Sequence, residues 1–192
     1  VNHRNVCRMH ECGQDGKLTY ISMEFVSGTN LKKVITAQGG LTAEQAFGVG
    51  LEIAAGLQAI HEVGIIHRDL KAANIMLDTR GLVRLMDFGI AKIEGGDRST
   101  GAGLTSAGQI MGTPEYMSPE QCLGDKITHH SDIYALGVVA YEIFTGAVPF
   151  RGDTPVATLF KHIQDPVPFE GPVAARIPLA AVSVLRKALA KN

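Results

Sequence analysis

The feature that most constrains this chain is the segment 67–74, which reads His-Arg-Asp-Leu-Lys-Ala-Ala-Asn. It contributes a carboxylate (Asp69), an ammonium group (Lys71) and a carboxamide (Asn74), and a second carboxylate, Asp87, follows close behind. The residues between these groups are too apolar for solvent loops. This inventory suits phosphoryl transfer, because one group can orient a hydroxyl, a cation can neutralise phosphate oxygens, and two oxygen ligands can hold Mg²⁺.

Two further motifs make the pattern specific. The spelling H-R-D-L-x-x-x-N is matched at every fixed position in 67–74, Asp-Phe-Gly stands at 87–89, and Gly-Thr-Pro-Glu-Tyr-Met-Ser-Pro-Glu stands at 112–120. Each motif alone is typical of an ordinary turn, but the ordered set is not. On these residues the chain resembles the catalytic domain of eukaryotic-type Ser/Thr protein kinases, and it is most similar to the bacterial members. The resemblance runs over essentially the whole chain.

The resemblance implies an α+β, protein-kinase-like fold that consists mainly of the helical C-lobe. Residues 1–26 would form the last two strands and the hinge of the N-lobe, and residues 27–192 the C-lobe. The family's Gly-rich phosphate loop, strand lysine and helix glutamate do not occur before Asp69, and the family continues into a further helix beyond Asn192. We therefore expect a partial kinase domain that is inactive alone, although its parent protein is active.

Local patterns predict several elements. Residues 5–12 and 17–25 read as two strands joined by the polar turn 13–16. Thr42 and Gln45 form a capping box that opens a long helix. The expected core face of that helix consists of Phe47, Leu51, Ala54, Leu57 and Ile60.

Four more helices are indicated further along the chain. Ser118 and Thr154 are each followed by proline, which is the usual start of a helix. The stretch 131–146 is apolar on nearly every side, which predicts a buried helix. The last helix opens at 177–178, and its expected apolar face consists of Leu179, Val182, Leu185 and Leu189.

The resemblance also assigns roles to the catalytic residues. It implies that Asp69 orients the substrate hydroxyl, that Lys71 neutralises the γ-phosphate, and that Asn74 and Asp87 hold Mg²⁺. Asp132 would accept hydrogen bonds from the catalytic-loop backbone, since an unpaired carboxylate at the start of a buried helix is costly.

ATP and Mg²⁺ are the cofactors that the resemblance implies. Met23 occupies the gatekeeper position, and the backbone groups of Glu24 and Val26 would bind adenine. Met76 falls where the family places the residue that packs under the adenine ring.

Regulation is implied by Arg68, which stands beside Asp69 as in kinases whose activation segment is ordered by a phosphate. A phosphate opposite Arg68 and Lys92 would gain charge-assisted hydrogen bonds. Thr105 and Ser106 are the first candidate acceptors, followed by Ser99 and Thr100, and an ordinary loop hydroxyl remains the alternative for each.

The substrate loop is expected at 112–120, with Gly112, Thr113 and Glu120 as its key residues. Lys71 together with Thr113 points to Ser/Thr rather than Tyr substrates. Ala73 stands where kinases that prefer basic substrates often carry an acid, which weakens the case for Arg-directed specificity. Glu120 is expected to lack the family's arginine partner, which would lie beyond this chain.

The composition of the chain disfavours some classes of binding partner. The net charge is −1 and no basic run occurs, so nucleic acid and anionic membranes are not favoured. Three cysteines without C-x-x-C spacing favour reduced thiols and a cytoplasmic location, with an anchor elsewhere in the parent left open. Protein substrates and ATP are the expected partners. The competing hypotheses are a non-catalytic kinase-like interaction module and a small-molecule phosphotransferase, which the loop 112–120 disfavours.

Overall fold

The computed structural model describes residues 1–16, 18–87 and 112–191. Small antiparallel sheets precede and flank a helical body. The strands are β1 (Met9–Asp15), β2 (Leu18–Met23), β3 (Gly28–Asn30), β4 (Ile75–Asp78) and β5 (Val83–Leu85). The helices are α1 (Leu31–Gln38), α2 (Ala43–His61), α3 (Pro119–Leu123), α4 (His129–Thr145), α5 (Pro155–Gln164) and α6 (Leu179–Ala188).

Strands β1 and β2 form a two-stranded antiparallel ribbon whose pairing runs from Met9 opposite Met23 to Asp15 opposite Leu18. The turn predicted at 13–16 is therefore wrong at residues 13–15, because the ladder continues through Asp15. The chain reverses at Gly16, whose φ of 59° lies in the left-handed region that glycine adopts without steric cost.

The second sheet has the order β3-β4-β5, with antiparallel neighbours. In this sheet Met76 pairs with Asn30 on one side and with Arg84 on the other. Strand β4 begins directly after Asn74, and β5 ends two residues before Asp87. The sheet therefore fixes the separation between the two predicted metal ligands.

The predicted helix caps are confirmed. Thr42 with Gln45 and Ser118 with Gln121 form capping boxes, and the Thr154 side chain accepts a hydrogen bond from the backbone N–H of Ala157. Each cap satisfies backbone N–H groups that have no partner inside the helix.

The predicted core face of α2 is partly wrong. Leu57 and Ile60 are buried, but Phe47 and Leu51 are 42% and 72% exposed. The buried face consists instead of Ala46, Ile53, Gly56, Leu57 and Ile60. Because α2 is apolar on several sides, contact with α4 and β5 decides which side is covered. Leu179 on α6 is likewise exposed, whereas Leu185 and Leu189 are buried.

Helix α4 runs through the centre of the core, as its apolar sequence predicted. Most of its residues are buried, among them two carboxylates, Asp132 and Glu142. Within the described ranges, no helix is both long and apolar enough to cross a bilayer.

Gly56 permits the close approach of α2 to β5. A Cβ atom at this position would lie 2.8 Å from Leu85 Cδ1 and 2.9 Å from the backbone oxygen of Asn5. We expect Gly56→Ala to lower the free energy of unfolding by about 1–3 kcal/mol, although alanine is the better helix former. Urea denaturation monitored by circular dichroism measures the change.

Gly48 on the same helix is the matched control, since no atom lies within 4 Å of a Cβ built there. Gly48→Ala should raise the free energy of unfolding by up to about 1 kcal/mol. Equal effects of the two substitutions would contradict the packing explanation.

A buried imidazole lies on α5. His162 is fully buried, its Nδ1 is 2.9 Å from the Tyr134 hydroxyl, and its ring packs against Phe150 at 4.9 Å between centroids. Burial lowers the pKa of His162 from 6.5 to about 4, and the Lys191 ammonium acts in the same direction. The folded protein therefore holds this imidazole neutral at physiological pH.

This pKa predicts acid sensitivity. Below pH 6.5 His162 is protonated in the unfolded chain, whereas in the folded chain it stays neutral until about pH 4. The free energy of unfolding therefore falls as the pH is lowered through this window. Within this window, His162 lowers the free energy of unfolding by about 1.4 kcal/mol for each unit by which the pH falls. His162→Gln should flatten the pH dependence of urea denaturation between pH 6.5 and 4, and the exposed His130→Gln should not. Identical slopes for both variants would refute the assignment.

Candidate active site

The segment 67–74 folds back so that its three chemical groups meet. Lys71 Nζ lies 2.7 Å from Asp69 Oδ2, and Asn74 Nδ2 donates to Asp69 Oδ2 and to the Asp69 backbone oxygen, both at 3.0 Å. A 3₁₀ turn at Ala72–Asn74 makes this geometry, with the Asn74 N–H bonded to the Lys71 oxygen at 2.9 Å. The Asp69 side chain is 42% exposed, so its carboxylate is open to an incoming group.

Lys71 also connects this segment to the loop predicted to bind substrate. Its Nζ donates to Thr113 Oγ1 at 3.0 Å. Next to Thr113, Gly112 has a φ of 110°, and a Cβ there would lie 2.8 Å from Met117 Cε. Glycine is therefore required where the loop approaches the segment 67–74.

Asp132, the buried carboxylate near the start of α4, binds the backbone of the segment 67–74. It accepts hydrogen bonds from the backbone N–H groups of His67 at 2.8 Å and Arg68 at 2.9 Å. The role implied for Asp132 by the sequence is confirmed. His61 Nε2, 2.7 Å from Asp132 Oδ2, is a third partner that sequence reasoning missed. The sequence signal that could have found His61 is its spacing. It lies four residues after Leu57, and residues four apart share one face of a helix.

His67 begins the segment and is itself buried. Burial lowers its pKa below the usual 6.5, and this effect outweighs the opposing attraction of Asp132 and Asp69. The folded protein therefore holds this ring neutral.

Backbone strain is concentrated in this region. Arg68 and Asp87 have φ values of 69° and 56°, and they are the non-glycine residues with positive φ in the described part of the chain. The Arg68 backbone oxygen accepts a hydrogen bond from Gln121 Nε2 at 3.0 Å, which ties the strained residue to α3. Strain of this kind persists where surrounding contacts hold it, and it clusters at functional sites.

The residues predicted to hold Mg²⁺ have suitable chemistry. Asn74 uses its NH₂ group on Asp69, which leaves its amide oxygen for another partner. The Met86 N–H bonds to the Asn74 backbone oxygen at 2.9 Å and so places the exposed Asp87 next along the chain. A carboxamide and a carboxylate are the hard oxygen donors that Mg²⁺ prefers.

The predicted hinge is held from several sides. The Glu24 N–H bonds to the Arg8 oxygen at 2.9 Å, its side chain pairs with Arg84 at 3.2 Å, and Cys7 Sγ lies 3.6 Å from its carbonyl oxygen. Among the described residues, neither backbone group of Val26 has a hydrogen-bond partner. Met23 and Met76, the other residues predicted to contact adenine, are half-buried.

The other predicted residues lie apart from this cluster or beyond the described ranges. Glu120 is half-buried and accepts a hydrogen bond from the Ser131 hydroxyl. Among the described residues, no arginine lies within 4.0 Å of Glu120, and its hydrogen-bond donor is a side-chain hydroxyl. Lys92, Thr105 and Ser106 fall outside the described residues.

Comparison with known proteins agrees with this geometry. The family model described as "Protein kinase domain" matches residues 1–192. Serine/threonine-protein kinase PknB of Mycobacterium tuberculosis is 39% identical over 100% of this chain and 31% of its own length.

Two other relatives give the same result. A probable serine/threonine-protein kinase of Clostridium perfringens is 39% identical over 100% of the chain and 27% of its own length. A probable PknB of Corynebacterium glutamicum is 41% identical over 96% of the chain and 29% of its own length. The chain thus spans about a third of the length of the curated relatives it matches.

The Asp132 hydrogen bonds predict the effect of an isosteric change. In Asp132→Asn one carboxylate oxygen becomes an NH₂ group, which cannot accept from a backbone N–H. One of the bonds to His67 or Arg68 is then lost in a buried setting, and we expect the free energy of unfolding to fall by about 1–3 kcal/mol. Equilibrium urea denaturation measures this.

Asp125→Asn is the matched control, since Asp125 is exposed and should tolerate the same chemical change within about 0.5 kcal/mol. If both variants unfold at the same urea concentration, Asp132 does not hold the segment in the way described.

Proposed function

Because this chain belongs to the protein kinase domain family, we propose that the intact protein transfers the γ-phosphate of ATP to serine or threonine hydroxyls of protein substrates. The observation that carries this proposal is the cluster of Asp69, Lys71, Asn74 and Thr113, joined by contacts of 2.7–3.0 Å. The chain's relatives are named as serine/threonine-protein kinases, which supports the same reaction.

Each side chain of the cluster has a separate role in the proposed reaction. Asp69, open to solvent and oriented by Asn74 Nδ2, orients the acceptor hydroxyl and accepts its proton. Lys71 neutralises charge on the transferred phosphate. Because phosphoryl transfer has a loose transition state, positioning and charge compensation account for most of the rate.

Asn74 and Asp87 would hold Mg²⁺ through their side-chain oxygens. The bound ion would supply further neutralisation of the phosphate oxygens. The backbone groups of Glu24 and Val26 would bind adenine beside Met23, with Met76 beneath the ring. N-lobe strands and hinge at 1–26 and the C-lobe at 27–192 remain the proposed division of the chain.

The contact between Lys71 and Thr113 supports Ser/Thr specificity, since it joins the catalytic cation to the loop 112–120 that a protein substrate would meet. Such a loop also favours protein over small-molecule substrates. Protein substrates and a cytoplasmic location are part of the same proposal.

Regulation by phosphorylation is part of the proposal. Arg68 borders the catalytic carboxylate, and a phosphate on Thr105 or Ser106 would add charge-assisted hydrogen bonds to Arg68 and Lys92.

The test is a transfer assay with the intact protein, radiolabelled ATP, Mg²⁺ and a mixture of protein substrates. We expect phosphoserine and phosphothreonine, and a loss of about 10²–10⁴-fold in kcat for Asp69→Asn, which removes the proton acceptor. Asp125→Asn, an exposed carboxylate elsewhere, should keep full activity.

Two outcomes would overturn the proposal. Folded protein that binds ATP but transfers no phosphate would identify a non-catalytic interaction module. Transfer confined to small molecules would identify a phosphotransferase of another substrate class.

A further inference from the structure

Strand β5, which leads to Asp87, lies at the edge of its three-stranded sheet. The backbone groups on its outer side are nevertheless paired. The Leu85 N–H donates to the Asn5 oxygen at 2.8 Å, and the Leu85 oxygen accepts from the Cys7 N–H at 2.9 Å. The outer backbone groups of Val83, two residues earlier, are bound by side chains instead.

Three hydrogen bonds join the side chains of Asn5 and Glu52 to the backbone of Val83. Glu52 Oε2 accepts from the Val83 N–H at 2.9 Å and from Asn5 Nδ2 at 2.8 Å. The same Asn5 Nδ2 donates to the Val83 oxygen at 3.0 Å. The three bonds form a closed ring, which we call the edge network. It gives Val83 the pairing that a further strand would otherwise supply.

The edge network joins parts of the chain that are distant in sequence. Asn5 and Glu52 are 47 residues apart, and Glu52 and Val83 are 31 residues apart. Hydrogen bonds to a carboxylate are stronger than those between neutral groups. Gly56 lies on the same face of α2, one turn after Glu52, and a Cβ atom there would lie 2.9 Å from the Asn5 backbone oxygen. Helix α2 therefore approaches closely enough for the Glu52 side chain to reach both partners.

The edge network lies between two parts of the proposed nucleotide site. On one side, β5 ends two residues before Asp87, a proposed Mg²⁺ ligand. On the other side, Cys7 Sγ lies 3.6 Å from the Glu24 carbonyl oxygen in the predicted hinge, and the Arg8 oxygen accepts from the Glu24 N–H at 2.9 Å. The segment 5–7 and β5 are thus held to the same point of α2.

We propose that Glu52 is a positioning residue for the nucleotide. By holding Asn5 and Val83 together, it sets the distance between the hinge backbone that would bind adenine and the Asp87 carboxylate. This proposal rests on the proposed protein kinase function. Glu52 itself lies outside the reacting groups and acts through β5 and the segment 5–7. A nucleotide must meet both ends of its site at once, and a displacement of about 1 Å can reduce the rate by about 10²-fold.

The experiment measures equilibrium binding of fluorescently labelled ATP to the intact protein, with and without Mg²⁺, together with the KM values for ATP and for a peptide substrate. Glu52→Leu removes the acceptor of two bonds. We expect the Kd measured with Mg²⁺ and the KM for ATP to rise about ten-fold, with the peptide KM unchanged. The Kd measured without Mg²⁺ should rise by less than about three-fold, because hinge contacts alone do not depend on the distance to Asp87.

Conservative variants separate positioning from a general loss of stability. Glu52→Gln keeps an oxygen that accepts from Asn5 and Val83, so its Kd should stay within about three-fold of that of the unaltered protein. Glu62→Leu changes an exposed glutamate at the end of the same helix and should leave both Kd values unchanged.

A reciprocal exchange provides the second comparison. Asn5→Asp replaces the donor by a second carboxylate and should weaken binding with Mg²⁺ as Glu52→Leu does. Asn5→Asp combined with Glu52→Gln restores one hydrogen bond in the reverse direction and should recover at least about three-fold in affinity. If Glu52→Leu is unfolded at the assay temperature, Asn5→Asp with and without Glu52→Gln carries the same comparison.

Each outcome has one interpretation. An unchanged Kd with Mg²⁺ for a folded Glu52→Leu or Asn5→Asp protein would overturn the proposal, as would equal losses of affinity with and without Mg²⁺. Failure of Glu52→Gln to improve Asn5→Asp would also overturn it. Unaltered protein that binds no nucleotide would instead contradict the proposed kinase function.

Discussion

The hydrogen bonds between Asp132 and the backbone of His67 and Arg68 are the interaction on which the site depends. They hold a strained residue, Arg68, at a φ of 69°, and the next residue along the chain is the predicted catalytic Asp69. Because Asp132 is buried in α4, the position of this predicted catalytic carboxylate is set by the core of the protein and not by a surface loop. His61 completes this arrangement by contacting the same carboxylate from α2.

Helix α4 holds a second buried carboxylate with a different partner set. Asp132 binds the catalytic segment directly, whereas Glu142 reaches the loop after Thr113 through the Tyr116 hydroxyl. One apolar helix therefore anchors both loops of the candidate site. A buried carboxylate is costly unless it is paired, so the two loops and the helix depend on each other.

Much of the local structure could be predicted because its causes are local. The capping boxes at Thr42 and Ser118 involve only the residues within one helical turn, and the structure has both. The α+β, kinase-like fold was predicted from ordered motifs, and the family match confirms it. The face of α2 was predicted wrongly at Phe47 and Leu51, because an extensively apolar helix has no periodic signal strong enough to choose a side.

The sequence by itself determined the chemical groups of the candidate site, since Asp69, Lys71 and Asn74 are fixed by a short motif and brought together by one 3₁₀ turn. Only the tertiary structure decided which distant residues support them. His61 contacts Asp132 across a separation of 71 residues in the sequence. Lys32 pairs with Glu142 across 110 residues. The physical reason is that a pairing between buried charges depends on which helix faces meet, and that choice is made by packing the whole core.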